Sequence, residues 1–597
     1  MMFGYISKRE YPRLENYLER CDPKGITVRY KCGGKRAFFF VGYLEREGER
    51  AFYHDSNCLM LCEGIPIRGS PDSGYELVDK ISDEDVKKGF NSFVNDIVSN
   101  VSVVFFKKGN APKLYLSSDR AGVNRIYYQL TDQGIAFSSA FSLLLHFTPL
   151  RINHEAIYSI LKYGYAPPPL TLSKDVHVVP PSHYATVDLS ESKISHHTYF
   201  RFCFSEEHGF NLNRLDHILG ATSEILSQID GCLLLSGGVD STLLAHKMRD
   251  QSNRNIRSYF LAFSKNDHEL PFAEEASKSS NSQLNVTYMD ESKLFNIVDE
   301  ITTSYDHPFK DGSVIPTYYL MKHVADEGEK IVIDGTGADG CFGFKAIASD
   351  KPWMLTYGLP KAVKKSISSI YSHSGIWKKE SFLEKPFRTV AKCCEVDGVL
   401  GPLVSSPPND VFFANSEYDG SIGRLSMNLV NKLISPCSSG QIFKQKTTVA
   451  DIFFVCGGNC CNKTDVRNKF PQVRTLYPYL WKDILEEQGR ISWSAKVNKG
   501  IVKWPLKRLL EPYVPHNFIY RKKSGFTPNL ESYIKNRKVY TLIEETFMNP
   551  HIVGRFIDKN RFINLVENLP IIERYSEPLS SLLWGLLFVE LWTSKHL

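Results

Sequence analysis

Two short stretches of the chain carry residue types suited to handling a polyphosphate. The first is Leu235-Ser236-Gly237-Gly238-Val239-Asp240-Ser241. It follows the apolar run CLLLS and opens the helix-like run STLLAHKMRDQ, so it is expected to be a strand-to-helix turn. Such a turn aims backbone N–H groups and the positive end of a helix at one anion. Gly237 and Gly238 remove the Cβ atoms that would hold a phosphate away. Ser236 and Ser241 add hydroxyl donors, whereas Asp240 cannot bind phosphate itself and implies a bridging Mg2+. The spacing fits neither G-x-x-x-x-G-K-[ST] nor the dinucleotide fingerprint. The second stretch, Asp334-Gly335-Thr336-Gly337-Ala338-Asp339-Gly340, also follows an apolar run, KIVI.

The frame that must position these stretches is α/β in character. Up to about residue 200 the chain is rich in short β-like runs (RAFFFVGYL, NCLMLCEG, VSVVFF, KLYLSSDR, IYYQL, GIAFSSA) separated by turn residues, as in antiparallel hairpins. Beyond it, strands alternate with helices: Leu212 to Ile229, CLLLS, STLLAHKMRDQ, RSYFLAF, FAEEASKSS, NVTYM, a helix ending near Glu327, and KIVIDG. That alternation implies a parallel, doubly wound sheet. From about residue 345 the sequence reads as mostly helical, with loops at SSPPNDV and PCSSGQ. The basic, Pro-interrupted segment from Arg490 to Pro528 reads as a functional loop rather than a core element.

Composition excludes several classes. A net charge of +6 over 597 residues is no nucleic-acid footprint, which would be a clustered basic face. The N-terminus shows no apolar h-region. The longest apolar run, Leu579 to Trp592, is too short to span a bilayer and contains Glu590, so a buried helix is expected. Thirteen irregularly spaced cysteines read as reduced thiols of a cytoplasmic protein. Cys456, Cys460 and Cys461 lack the paired spacing of a zinc site and read as small buried hydrophobes.

S-G-G-x-D-S resembles the pyrophosphate loop of the N-type ATP pyrophosphatases. The second stretch resembles the S-G-E-G-x-D-E loop of asparagine synthetases. Further segments follow in that family's order: DHPFKDGSVIPTYYL (Asp306 to Leu320), KTDVRNKFPQVRTLYPYL (Lys463 to Leu480), and Arg521 to Pro528, similar to "R.K.GF..P". Leu114 to Tyr128 with GIAFSSAFSLLL resembles part of the glutaminase domain, and Tyr163 to Leu189 its linker. The resemblance implies an Ntn-hydrolase-like β-sandwich flanked by helices over 1–200. Over 201–597 it implies a doubly wound ATP pyrophosphatase with a helical extension. It further implies ATP and Mg2+ as cofactors. Leu235, Ser236, Gly237, Gly238, Asp240 and Ser241 would form the ATP site, Phe263 would line the adenine pocket, and Asp334 and Gly335 would reach the nucleotide through backbone. Asp240 and Asp339 would hold the metal, and Lys523 would stabilise charge in both transition states.

Two departures shape the expected reaction. The family's glutaminase needs an N-terminal cysteine, and here the chain reads Met1-Met2-Phe3-Gly4, which implies no hydrolysis of glutamine. β-Lactam synthetases and lasso-peptide cyclases share that loss. The family's loop glutamates are replaced by Thr336 and Gly340, and threonine cannot deprotonate an amine. Asp311, His307 or Tyr318 takes over, or the amine needs less help, as an α-amine with a pKa near ~8 would. The expected protein is an AMP-forming carbon–nitrogen ligase that adenylates a small-molecule, sugar or peptide carboxylate and passes it to an amine. Ring closure within one substrate and amidation of a uronic acid are both compatible, as is a homodimer. The rival is a nucleotide-binding regulatory protein without activity.

Overall fold

The computed structural model describes residues 2–7, 26–34, 37–44, 52–55, 57–108, 112–131, 134–145, 149–188, 193–204, 210–252, 254–343, 359–360, 362–363, 366–367, 418–435, 442–522, 526, 528–548, 550–556 and 577–597. Lys523 and the loops SSPPNDV and PCSSGQ lie outside the described residues.

Two six-stranded antiparallel sheets frame the described part of the first 200 residues. One runs in the order His177–Val178, Tyr127–Thr131, Gly134–Ser138, Met2–Ser7, Ala37–Leu44, Ile26–Gly34. The other runs Lys193–Thr198, His183–Asp188, Lys113–Ser117, Ser102–Lys107, Cys58–Glu63, Phe52–His54. The period of two along each strand decides what lies between them. Leu59 and Leu61, Val104 and Phe106, Leu114 and Leu116, Ile135 and Phe137 face inward and form one buried cluster. The alternate residues Cys58, Met60, Val103 and Phe105 pack outward against Phe90, Phe93 and Val94 of a short helix.

The second half is built on a parallel sheet with the order Gln283–Tyr288, Arg257–Ala262, Cys232–Leu234, Ile331–Ile333, Arg474–Leu476. The chain starts in the middle at Cys232–Leu234, winds outward to Gln283–Tyr288, then returns to the other side at Ile331–Ile333. The order therefore reverses between Cys232–Leu234 and Ile331–Ile333, and the loops leaving those two strands diverge to open a crevice. Those loops are the two glycine-rich stretches. The fifth strand, Arg474–Leu476, is only three residues long and is not evident from periodicity.

The segment after Arg490 is not a loop. It holds helices Trp493–Lys496, Trp504–Leu510 and His516–Ile519, whose Leu506, Leu510, Phe518 and Ile519 are buried in the same core as the helix Val239–Gln251. Basic residues are interleaved with these apolar ones and hide the burial in a count of charges. No helix among the described residues is long and apolar enough to cross a membrane. The helix Glu577–His596 is instead buried with Trp584 and Trp592, and its Glu590 carboxylate accepts the backbone N–H groups of His551, Ile552 and Val553 at 2.6–3.0 Å.

Polar side chains tie the two halves together across a buried boundary. Glu63, 4% exposed, accepts from Ser139 Oγ at 3.2 Å and pairs with Arg474 at 2.9 Å and Arg467 at 3.5 Å. Arg467 also donates to Asn124 Oδ1, and Asn100 Nδ2 donates to the carbonyl of Leu480. Breaking a buried pair by removing one partner costs about 3–5 kcal/mol, so this boundary is fixed.

Candidate functional site

The crevice between the two loops is a cavity of about 520 Å3, within the range of small-molecule sites. Gly237 adopts φ +66°, and a Cβ there would lie 2.5 Å from the backbone of Phe272, so only glycine fits. Gly238 caps the helix Val239–Gln251 without a side-chain bond, which leaves the first backbone N–H groups of that helix to a ligand. Ser236 and Ser241 serve the loop itself: their hydroxyls lie 3.2 Å apart, Ser236 Oγ accepts from Gly238 N, and Ser241 Oγ accepts from Ser236 N. Arg521 braces the loop from outside. It is paired to Glu269 at 2.7 Å, lies over the Phe272 ring at 3.7 Å, and donates to the Gly237 carbonyl.

Of the residues expected in the site, Leu235, Ser236, Asp240, Ser241, Phe263 and Asp334 all line this one cavity. Gly335, Thr336 and Asp339 join them. Gly237 and Gly238 shape the loop behind it. Phe263 directly follows the neighbouring strand Arg257–Ala262, and its ring lies 5.6 Å from that of Phe526. The three groups weighed as bases lie elsewhere. Asp311 lines a second cavity. Tyr318 is buried and donates to Glu300 at 2.8 Å. His307 sits at the boundary between the halves, where burial lowers it to about 4.

Asp240 and Asp339 come from the two different loops and converge on one cation. The Lys503 ammonium lies 2.7 Å from Asp240 Oδ2 and 2.8 Å from Asp339 Oδ1. Burial alone would lower this lysine, but the two carboxylates outweigh it and raise it above the ordinary lysine value. Lys503 pays for the position with φ +54°, unusual for a residue with a Cβ, just before the helix Trp504–Leu510. Sequence reading misses it because 263 residues separate it from Asp240.

The carboxylate pair suits a divalent cation of the magnesium type, which takes one or two carboxylates and completes its shell with phosphate and water. Among the described residues no group of three or more His, Cys, Asp or Glu side chains could hold a metal alone. The thiols of Cys456, Cys460 and Cys461 are all raised by burial, and the eight described cysteines are free.

Asp334 and Thr336 are organised around each other. The Thr336 N–H and hydroxyl both donate to the Asp334 carboxylate, at 3.0 and 3.1 Å. Burial raises Asp334, the Asp240 charge adds to the effect, and the Thr336 bonds oppose it. Where Gly340 replaces the second glutamate of the resembled loop, a carboxylate arrives from another element. Asp451 Oδ2 lies 2.6 Å from the position a Gly340 Cβ would occupy, and burial lifts this acid to about 8.

The asparagine synthase family profile matches residues 223–594, and a glutamine amidotransferase profile matches residues 92–200. Asparagine synthetase [glutamine-hydrolyzing] 1 of Bacillus subtilis is 23% identical over 465 residues, covering 74% of this chain and 70% of that one. A putative asparagine synthetase of Mycobacterium tuberculosis is 21% identical over 440 residues, covering 71% and 66%. A protein named amidase chry2 of Gibberella zeae is 21% identical over 290 residues, covering 44% and 42%. The chain belongs to the asparagine synthase family. It is a carbon–nitrogen ligase and, at the level of that family, an ATP-dependent one that forms amides.

Proposed function

We propose that this protein activates a substrate carboxylate as an acyl-adenylate, releasing pyrophosphate, and joins it to an amine that it does not draw from glutamine. The observation that carries the first part is the convergence of Asp240 and Asp339 on Lys503 beside a glycine loop at the head of a helix. Phe263 and Phe526 suit a purine, the Gly238 end of the helix suits phosphate, and Lys503 supplies positive charge for a departing pyrophosphate. Asp240 and Asp339 would hold Mg2+, which would neutralise phosphate charge when bound. Lys523 is assigned the charge growing on the α-phosphate, from its place in Arg521 to Pro528. Residues 201–597 form the synthetase domain in this reading, with the fold of the ATP pyrophosphatases.

The amine is deprotonated by Asp334. It is the cavity carboxylate that Thr336 orients, and its raised affinity for a proton makes it a better acceptor than an exposed aspartate. Asp311 is unsuited to this. Burial opposes its ionisation, but the Lys463 charge overrides that and holds it well below the usual carboxylate range.

The second part rests on the first strand. Met2 is 1% exposed in the core between the two sheets, its N–H donates to Ser139 Oγ, and its carbonyl accepts from Ser139 N. The burial of a methionine side chain at residue 2 supports reading residues 1–200 as a glutaminase-like domain without glutaminase chemistry. Purified protein should catalyse ATP–pyrophosphate exchange that depends on an added carboxylic acid, and should release no glutamate from glutamine. Nucleotide binding without exchange in the presence of its acid would leave the regulatory reading in its place.

A further inference from the structure

A second cavity of about 440 Å3 adjoins the nucleotide cavity and shares Ser313 and Cys460 with it. One molecule can bridge the two, with its reacting end beside the nucleotide. The charged groups on the wall of the second cavity are already matched within the protein. Asp311 Oδ2 is paired with Lys463 at 2.5 Å and accepts from Asn459 Nδ2, while Asp311 Oδ1 accepts from Ser313 N. Glu531 is paired with Lys535 at 2.8 Å, one turn along the helix Leu530–Lys535. Lys310 donates to the Lys162 carbonyl at 3.2 Å. A ligand charge of either sign would compete with a partner already in place, whereas a neutral ligand would not.

Two polar atoms on the same wall are not matched. Ser580, 2% exposed, and Asn459 both line the cavity. Ser580 Oγ and Asn459 Oδ1 are buried with no hydrogen-bond partner among the described residues. Such an arrangement is unfavourable until something supplies the missing bonds. The Asn459 amide cannot turn round to escape it, because Nδ2 is the end that must meet the Asp311 carboxylate. What stays open is an acceptor, Asn459 Oδ1, and a hydroxyl that can also accept. The donors nearby are engaged: Asn459 Nδ2 with Asp311, Lys310 with the Lys162 carbonyl, and Ser581 Oγ with the Lys310 carbonyl.

This balance separates two kinds of neutral ligand. A peptide brings a carbonyl with every N–H, and its carbonyls would be short of donors here. A polyhydroxylated ligand needs only acceptors, since each hydroxyl can donate. The aromatic residues of the wall, Tyr163, Tyr165 and Phe454, supply the apolar surface against which the C–H face of a sugar ring can lie. The Tyr165 and Phe454 rings are stacked at 4.6 Å, which fixes that surface.

We propose that the second cavity binds a neutral glycosyl unit carried by the acid substrate, with its hydroxyls donating to Asn459 Oδ1 and Ser580 Oγ. This rests on the ligase reading only for the link between the sugar and the reacting carboxylate. The site itself stands on the cavity, its matched charges and its two orphaned atoms.

The probes are the methyl glycosides of glucose, galactose, mannose and N-acetylglucosamine, with the neutral peptide N-acetylalanylalaninamide as the rival. Each is added to the full chain in the presence of α,β-methylene-ATP and followed by saturation-transfer NMR. The expected result is that at least one glycoside binds and the peptide does not. Ser580→Ala and Asn459→Ala should each weaken that glycoside by at least about tenfold, the worth of one hydrogen bond. Ser580→Ala removes an unmatched group, so its melting temperature should not fall. A serine that serves only the fold would lower the melting temperature of Ser580→Ala and leave glycoside binding intact, which overturns the proposal. So does a peptide that binds in preference, or a cavity that takes none of the glycosides and holds only water. A measurement on the wild type needs no folded variant. Cys460 lines the cavity, so the bound glycoside should protect it from methyl methanethiolsulfonate, mapped by mass spectrometry, while the exposed Cys203 labels as before. Unchanged Cys460 labelling at saturation refutes the assignment. Glycoside binding without pyrophosphate exchange on cellobiouronic acid, a glucuronate joined to a neutral glucose, would defeat the ligase reading alone. Exchange supported equally by N-acetylalanylglycine and cellobiouronic acid would defeat only this one.

Discussion

Replacing Lys503 by methionine should turn a site closed by the protein's own cation into one that takes up Mg2+ unaided. The Asp240 and Asp339 oxygens that share the ammonium lie within about 5.5 Å of each other, given distances of 2.7 and 2.8 Å to Nζ. At an effective dielectric constant of about 20, two unit charges at that spacing repel by about 3 kcal/mol. Asp339 is 58% exposed, so water screens much of this, and about 1 kcal/mol is the lower bound. Lys503→Met leaves that repulsion for a divalent cation to relieve, and also removes the competitor for the position. At about 1.4 kcal/mol per factor of ten, Mg2+ should bind the variant about 5- to 150-fold more tightly than the wild type without nucleotide. Calorimetric titration with MgCl2 measures this directly. ATP–pyrophosphate exchange should nevertheless fall by at least about 100-fold, because the charge facing the pyrophosphate is gone. Equal Mg2+ affinity in the two proteins would refute the idea that the two carboxylates form one cation site.

Asp334→Asn, which keeps the shape and one acceptor for Thr336, should leave pyrophosphate exchange within about threefold while slowing amide formation about 100-fold or more; equal loss in both steps would place Asp334 in adenylation. Thr336→Ala should mimic it weakly, read by the same pair of assays. Gly237→Ala should abolish nucleotide binding, measured by calorimetry, because the backbone of Phe272 and Ala273 stands 2.5–2.7 Å from the new Cβ and cannot yield. Burial holds Lys496 at about 7 beside Gln488, well under its unfolded value. The unfolded chain therefore binds the extra proton between those values, and the burial penalty is full below pH 7 and fades as pH rises. The stability of Lys496→Met relative to wild type, followed by thermal melts from pH 7 to 10, should decline by about 1.4 kcal/mol per unit. A flat difference would show that Lys496 stays protonated in the folded state as it is in the unfolded one.

The glycine loop at Leu235–Ser241 was legible because everything that makes it is local: an apolar strand, two glycines and a helix start within seven residues. Asp339 and Phe263 were singled out through the family resemblance, and both line the same cavity as that loop. The six runs singled out in the first half are all strands, since alternation encodes burial between two sheets. What stayed hidden depends on contacts across the chain. Lys503 reaches Asp240 over 263 residues, and Lys463 reaches Asp311 over 152. The strand Arg474–Leu476 has too few residues to show a period. The run Asp451–Cys460 reads as an ordinary helix, yet it winds with the wider π spacing, which brings Asp451 to Gly340 and Cys460 to both cavities. A side chain removed from one loop and supplied by another element leaves no local trace.

The buried boundary at Glu63 has a consequence for how such a protein can change over time. Arg474 opens the edge strand of the parallel sheet, and Leu480, held through Asn100, is the residue that packs on Gly337 in the second loop. The first half thus works as the far wall of a mould in which the nucleotide site is cast. A mould is indifferent to whether its own outer surface still performs chemistry. Glu63, Asn100 and Asn124 hold this wall whatever chemistry the first half performs, and deletion of that half should unseat the loop that carries Asp339. A module wired in this way can lose its activity and still be impossible to discard.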